Sequence, residues 1–401
     1  MLPKGFLVGG VKCAISKNKK REDLGLFVSD APSVTAGLFT KNIVKAAPVV
    51  VSAKYLKTNG NSIRAIVANS GCANACTGKK GKKDAEAMCE YAAKNLNTDK
   101  KNVLIASTGV IGTFLPLNKI NSGIKKLAKK IGKTANNELS AARSIMTTDT
   151  HSKIVSKKLR INSKQVTIWG CAKGSGMIHP NLAKMHATML SFILTDISIT
   201  KKCLENSLST AVESSFNCIS VDSDTSTNDT VFIMANGLAG NRAIVADKKE
   251  CKIFSKALNE VTLELAKMLV KDGEGATKFV EVNVKNALNE KDAKKIASTV
   301  ATSPLFKTAV FGHDPNWGRI IAAAGRAGVC FNPDLVDVYI NNKIVVKKGI
   351  GVNFSEKLMK KELNKKEIKF KLDLKQGSKT SKYYTCDFSY DYVKINASYR
   401  S

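Results

Sequence analysis

The chain has 401 residues, 43% of them hydrophobic and 24% charged, the balance of an ordinary globular protein with room for more than one compact unit. No run of 18 apolar residues occurs, which excludes a membrane-spanning helix. Lys and Arg number 64 against 33 Asp and Glu, a net charge of +31, and only eight of the 64 are arginine. A charge of this sign invites a nucleic-acid reading. The lysines, however, are spread over the whole length, as at Lys79-Lys80 and Lys365-Lys366, and no recognised DNA- or RNA-binding module accompanies them. Solvated lysine faces are the simpler account, so no specific nucleic-acid partner is expected. The opening Met1-Leu2-Pro3-Lys4-Gly5 carries no apolar leader, and a cytoplasmic location is expected. Ten scattered cysteines without a C-x-x-C pair, and four histidines without metal-ligand spacing, predict free thiols and no protein-bound metal.

Residues 63–67 form a short apolar run that predicts a buried strand, and residues 103–105 predict another. Leu117, Ile120, Ile124, Leu127 and Ile131 recur at the spacing of an amphipathic helix. Phe254, Leu258, Val261, Leu265 and Met268 repeat that pattern and run into Asp272-Gly273-Glu274-Gly275. Val336 to Ile340 followed by Asn341-Asn342 reads as the entry to a hairpin. Ile368, Phe370, Leu372 and Leu374 alternate with polar residues, as do Tyr384, Cys386, Phe388 and Tyr390, which predicts two strands with one wet face each. The sum is an α+β protein with mixed sheets. No G-x-G-x-x-G or Walker sequence feeds a helix, so a doubly wound nucleotide binder is not expected.

Four islands are too rich in small polar residues to be packed elements: 68–78, 107–112, 146–150 and 173–181. Taken singly each reads as a turn. Together, at strand ends, they predict a shared pocket whose glycines let backbone N–H groups approach a ligand or an oxyanion. The last island leads into Ala187-Thr188-Met189-Leu190 and an apolar strand. If the chain is cut before Thr188, its new α-amino group, with an ordinary pKa of about 8, becomes the base for its own hydroxyl. Uncut, Thr188 is a β-branched strand residue.

These segments, with residues 221–229, Gly312-His313-Asp314-Pro315-Asn316-Trp317-Gly318-Arg319 and the terminal run 392–401, resemble the glutamate N-acetyltransferase (ornithine acetyltransferase) family of arginine biosynthesis. The likeness covers essentially the whole chain in order. It implies a layered α/β/β/α-type sandwich with mixed sheets and a smaller C-terminal α/β part, as in the superfamily of self-processing aminopeptidases and ornithine acetyltransferases. It implies a precursor that cuts itself between Ala187 and Thr188 into an α chain, 1–187, and a β chain, 188–401, assembled as α2β2. Acetyl would pass from N-acetylornithine to Thr188 and then to glutamate. Thr108 and Gly109 map to the oxyanion stabilisers, and Thr150, Lys173, Thr188, Glu274, Asn396 and Ser401 to the substrate contacts. No bound cofactor is implied. Acetyl-CoA as a second donor, and an amidohydrolase or aminopeptidase of similar fold, stay open as alternatives. One departure stands out: Pro180-Asn181-Leu182-Ala183 is followed by four extra residues, Lys184-Met185-His186-Ala187, before Thr188. An insertion there bears directly on the strain that the scissile carbonyl needs for an N→O acyl shift.

Overall fold

The computed structural model describes residues 1–16, 21–180 and 189–398. It divides into two compact units, Met1–Asn217 with Asp224–Leu269, and Cys218–Ser223 with 270–399. Each is built on its own mixed sheet, the α/β architecture with two sheets that the sequence predicts.

The strands of the first unit are β1 (Phe6–Val11), β2 (Leu24–Phe39), β3 (Ile63–Cys72), β4 (Val103–Val110), β5 (Lys153–Ile161), β6 (Lys164–Lys173) and β7 (Leu190–Thr195). After the short β8 (Ile219–Ser220) of the second unit comes β9 (Thr230–Ala235). The first sheet runs β4-β3-β2-β9-β7-β6-β5, with β1 beside β2. The 16-residue β2 joins its two halves. Residues 24–29 pair with β1 and β3, the register shifts between Val28 and Ser33 around Pro32, and Val34 to Phe39 pair with β9. Central strands β7 and β9 are buried at every position, so both faces are covered and period-2 alternation is absent. Phe27, Trp169, Phe192, Phe232 and Phe39 form a chain of ring contacts through this core.

Helices α1 (Ala47–Asn59), α2 (Gly78–Leu96), α3 (Leu117–Leu127), α4 (Ala135–Ser144), α5 (Lys201–Glu213) and α6 (Lys249–Lys271) follow in the chain. In α3 the predicted stripe of Ile120, Ile124 and Leu127 is buried, but the helix stops at Leu127 and leaves Ile131 outside. The reason is tertiary: Gly132 exchanges both backbone hydrogen bonds with Val8, which draws the chain out of the helix. The expectation of ten free thiols is also corrected. Cys203 on α5 and Cys251, near the start of α6, are bonded to each other, and hydrogen bonds between Ser207 and Ser255 and from Ser214 to Asn259 join the same two helices. No helix among the described residues is long and apolar enough to cross a membrane.

The second unit adds β10 (Phe279–Ala287), β11 (Asp337–Ile340), β12 (Lys343–Lys347), β13 (Ile350–Gly351), β14 (Glu367–Asp373) and β15 (Lys379–Cys386), in the order β13-β12-β11-β14-β10-β15-β8. The helices α7 (Glu290–Ala301), α8 (Pro304–Phe311), α9 (Trp317–Gly325), α10 (Glu356–Leu363) and α11 (Tyr390–Ser398) complete it. Its core joins Val280, Val282 and Val284 to Ile296 and Val300. Asn341 and Asn342, with φ of 45° and 67°, form the predicted two-residue turn between β11 and β12. Strand β14 keeps its predicted alternation. Strand β15 does not: Tyr383, Tyr384, Thr385 and Cys386 are all buried, and the strand ends there. The carboxylate of Asp387 accepts from the amides of Thr277 and Lys278 and from the Thr277 hydroxyl. That anchor turns the chain, and Tyr390 opens a helix instead of extending a strand.

Candidate active site

Thr108 and Gly109 lie at the C-terminal end of β4, so the island 107–112 is largely strand and not loop. The polar residues are tolerated inside the sheet because they satisfy one another. Ser107 Oγ donates to Asn69 Oδ1 at 2.7 Å, and Asn69 Nδ2 donates to the Cys72 carbonyl at 2.9 Å. Asn228 donates from Nδ2 to the carbonyls of Ala73 and Ser107, at 2.6 and 2.8 Å, and so ties the ends of β3 and β4 together. Gly109 has φ of +127°, and a Cβ there would sit 2.4 Å from the Gly71 carbonyl carbon. Only glycine fits both the dihedral and the approach. Beside it Thr108 is 8% exposed.

The island 146–150 packs against the end of β6 through charge. Asp149 Oδ1 accepts from Lys153 Nζ and from the Gly174 amide, each at 2.7 Å, and Oδ2 accepts from the Thr147 amide at 3.0 Å. Both side chains of the Asp149–Lys153 pair are fully buried. Burial alone would raise the Asp149 pKa, but the Lys153 and Lys173 ammonium groups and these hydrogen bonds outweigh it and hold it at about 2. Lys173, the last residue of β6, is 7% exposed and donates to Thr147 Oγ1 at 3.0 Å. Burial lowers its proton affinity, and the carboxylates of Asp149 and Asp229 partly restore it. Thr150 is exposed, its hydroxyl 3.0 Å from His151 Nδ1.

After Lys173 the glycine loop is fixed by Gly174, with φ of +151°, and by a bridge from Ile178 to Thr225, whose hydroxyl donates to the His179 carbonyl at 3.0 Å. Leu190 opens β7 and pairs with Lys173 on one side and Thr230 on the other. Ala187, Thr188 and Ser401 lie outside the described residues, as do the other inserted positions.

Glu274 and Asn396 belong to the second unit and meet there. Asn396 Nδ2, on α11, donates to Glu274 Oε2 at 3.0 Å. Gly275, at φ of +69°, allows this, since a Cβ would lie 2.4 Å from the Tyr392 nitrogen. Ser389 Oγ also donates to the Gly275 carbonyl, which pins the start of α11. The structure therefore puts Thr108, Gly109 and Lys173 in one unit and Glu274 with Asn396 in the other, with partners that sequence reasoning did not foresee. It missed Asp149, Lys153, Asn228 and Asp229 as polar members. The signal available was their presence, as carboxylates, amide and lysine, within or beside the small-residue islands.

The model of the ArgJ family matches residues 7–401. A curated relative from Thermotoga neapolitana, an "Arginine biosynthesis bifunctional protein ArgJ", is 47% identical over 404 residues that cover 100% of both chains. A "Glutamate N-acetyltransferase" from Methanocaldococcus jannaschii is 48% identical over 406 residues, covering 99% of this chain and 97% of its own. Among solved structures, an arginine biosynthesis bifunctional protein from Bacillus halodurans aligns with a TM-score of 0.52 and 42% identity. It covers 53% of this chain and 100% of that one.

Proposed function

The chain belongs to the ArgJ family, and on that premise we propose that it is a self-cleaving acetyltransferase that carries acetyl from N2-acetylornithine to glutamate on Thr188. In the first step the Thr188 hydroxyl attacks the Ala187 carbonyl, and the acyl group moves from nitrogen to oxygen. Water then hydrolyses the ester, leaving a carboxylate on Ala187 and an α-amino group on Thr188. In turnover that amino group takes the hydroxyl proton as Thr188 attacks the acetyl carbonyl. The Thr108 hydroxyl and the Gly109 amide hold the developing oxyanion, and the departing ornithine nitrogen receives the proton. The glutamate amine then attacks the acetyl ester, giving N-acetylglutamate and the free hydroxyl. Among the proposed substrate contacts, Lys173 offers a cation to a carboxylate, Glu274 an anion to the ornithine amines, and Thr150, Asn396 and Ser401 neutral hydrogen bonds.

The observation that carries this reading is the position of the strand that follows Thr188. β7 is hydrogen-bonded between β6 and β9, and β9 between β7 and β2. A cut before Thr188 would leave β1 to β6 in an α chain of residues 1–187, interleaved in one sheet with β7 and β9 of a β chain of residues 188–401. Two full strand interfaces would keep the halves associated without a covalent link, as an α2β2 assembly requires. The size of the Bacillus halodurans chain also supports two separate chains: it matches 53% of this one, the fraction that residues 188–401 make up.

The test is denaturing intact-mass analysis of the purified protein and of Thr188→Ala. Two fragments meeting at Ala187/Thr188, absent in the variant, are expected. After incubation with N-acetylornithine the 188–401 fragment should gain one acetyl group. A single uncut chain, or a cut that survives Thr188→Ala, would overturn the reading.

A further inference from the structure

Asp229 immediately precedes β9 and is 1% exposed, yet its buried Oδ2 has no hydrogen-bond partner among the described residues. An unpaired buried carboxylate oxygen is costly and rare, and where one persists it calls for a partner brought by something else. Lys173 is the complementary case, a buried ammonium whose hydrogen bond goes to the neutral Thr147 hydroxyl. Each feels the other's charge: the carboxylate raises the proton affinity that burial lowers in Lys173, and the ammonium opposes the rise that burial imposes on Asp229. Strand register sets the two on either side of the start of β7. Leu190 pairs with Lys173 across β6 and with Thr230 across β9, so Lys173 and Asp229 flank the start of β7 on either side.

Charge accounting says what such a pair suits. Under the function proposed above, on which this step rests, the site must hold product ornithine and glutamate, each with a free α-ammonium beside its α-carboxylate. Of the residues assigned to it in the first unit, Lys173 is a cation and none is an anion. A carboxylate is needed there for the α-ammonium. We infer that Asp229 receives the α-ammonium group of the amino acid bound at this site, with Lys173 on its carboxylate. The assignment also gives Asp229 a discriminating role, because in N-acetylornithine the α-nitrogen is an uncharged amide. Asp229 would favour the amino acids that carry a free α-amine, glutamate and ornithine.

The test compares glutamate with glutarate, which keeps both carboxylates and lacks the ammonium. Calorimetric binding to the cleaved enzyme, with no acetyl donor present, should favour glutamate by roughly ten- to a hundredfold, the worth of a hydrogen bond to a charged group. In Asp229→Asn the two ligands should bind alike, and Asp229→Glu should recover part of the preference. Equal binding of the two ligands by the unmodified enzyme overturns the assignment without recourse to any variant. So does a glutamate preference that survives in Asp229→Asn. If Asp229 instead holds the enzyme's own Thr188 amino group, both half-reactions slow together and the ligand ratio is unmoved. Failure of acetyl to appear on the 188–401 fragment would count against the proposed function alone, because the binding ratio is read without turnover.

Discussion

Two lysine–aspartate pairs lie near the end of β6, and they differ in one respect. Asp149 and Lys153 touch, at 2.7 Å, and the aspartate has a further amide on each oxygen. Asp229 and Lys173 are also buried, but Asp229 Oδ2 has no partner among the described residues and Lys173 turns to Thr147. The first pair is complete within the protein and acts as a brace between the 146–150 segment and the glycine loop. The second is incomplete until something else arrives. Buried charge alone therefore does not mark a binding site; buried charge left unsatisfied does.

The comparison predicts unequal responses to the same isosteric change. Asp149→Asn strands the Lys153 ammonium in the core and should cost about 3–5 kcal/mol of stability. Asp229→Asn breaks no hydrogen bond at Oδ2 and should cost about 1 kcal/mol or less. Denaturant titrations of the two variants check this, and equal losses would erase the distinction. Thr108→Ala sharpens it from the catalytic side. Loss of an oxyanion donor should slow acetyl transfer by about 100- to 1000-fold, with an unchanged denaturation midpoint. A parallel loss of stability would assign Thr108 to the brace and not to the chemistry.

The smallest effect expected is on acid stability. Asp149 has a folded pKa near 2, below its ordinary value. Its contribution is therefore fully present above about pH 4 and is lost as pH falls toward 2, a loss of about 2 kcal/mol. In Asp149→Asn this segment of the acid-unfolding curve should flatten. An unaltered curve would mean that other carboxylates govern acid unfolding.

Much of the molecule was legible in the chain itself. The apolar stripe of α6, the alternation of β14 and the Asn341-Asn342 turn follow from local periodicity and dihedral preference, which a sequence carries in full. So do the small-residue islands and the family they resemble. Local pattern failed where distant residues intervened: Gly132 leaves the α3 helix to pair with Val8, and Asp387 turns the chain after β15 by capping Thr277 and Lys278. The polar segment at Ser107 and Thr108 looked like loop because its partners, Asn69 and Asn228, are remote in sequence. The family resemblance named Lys173 and Glu274 as candidates, but residue type gave no way to separate Asp149 from Asp229. That separation depends on which groups reach each carboxylate once it is buried, and burial and partner choice exist only in the folded chain.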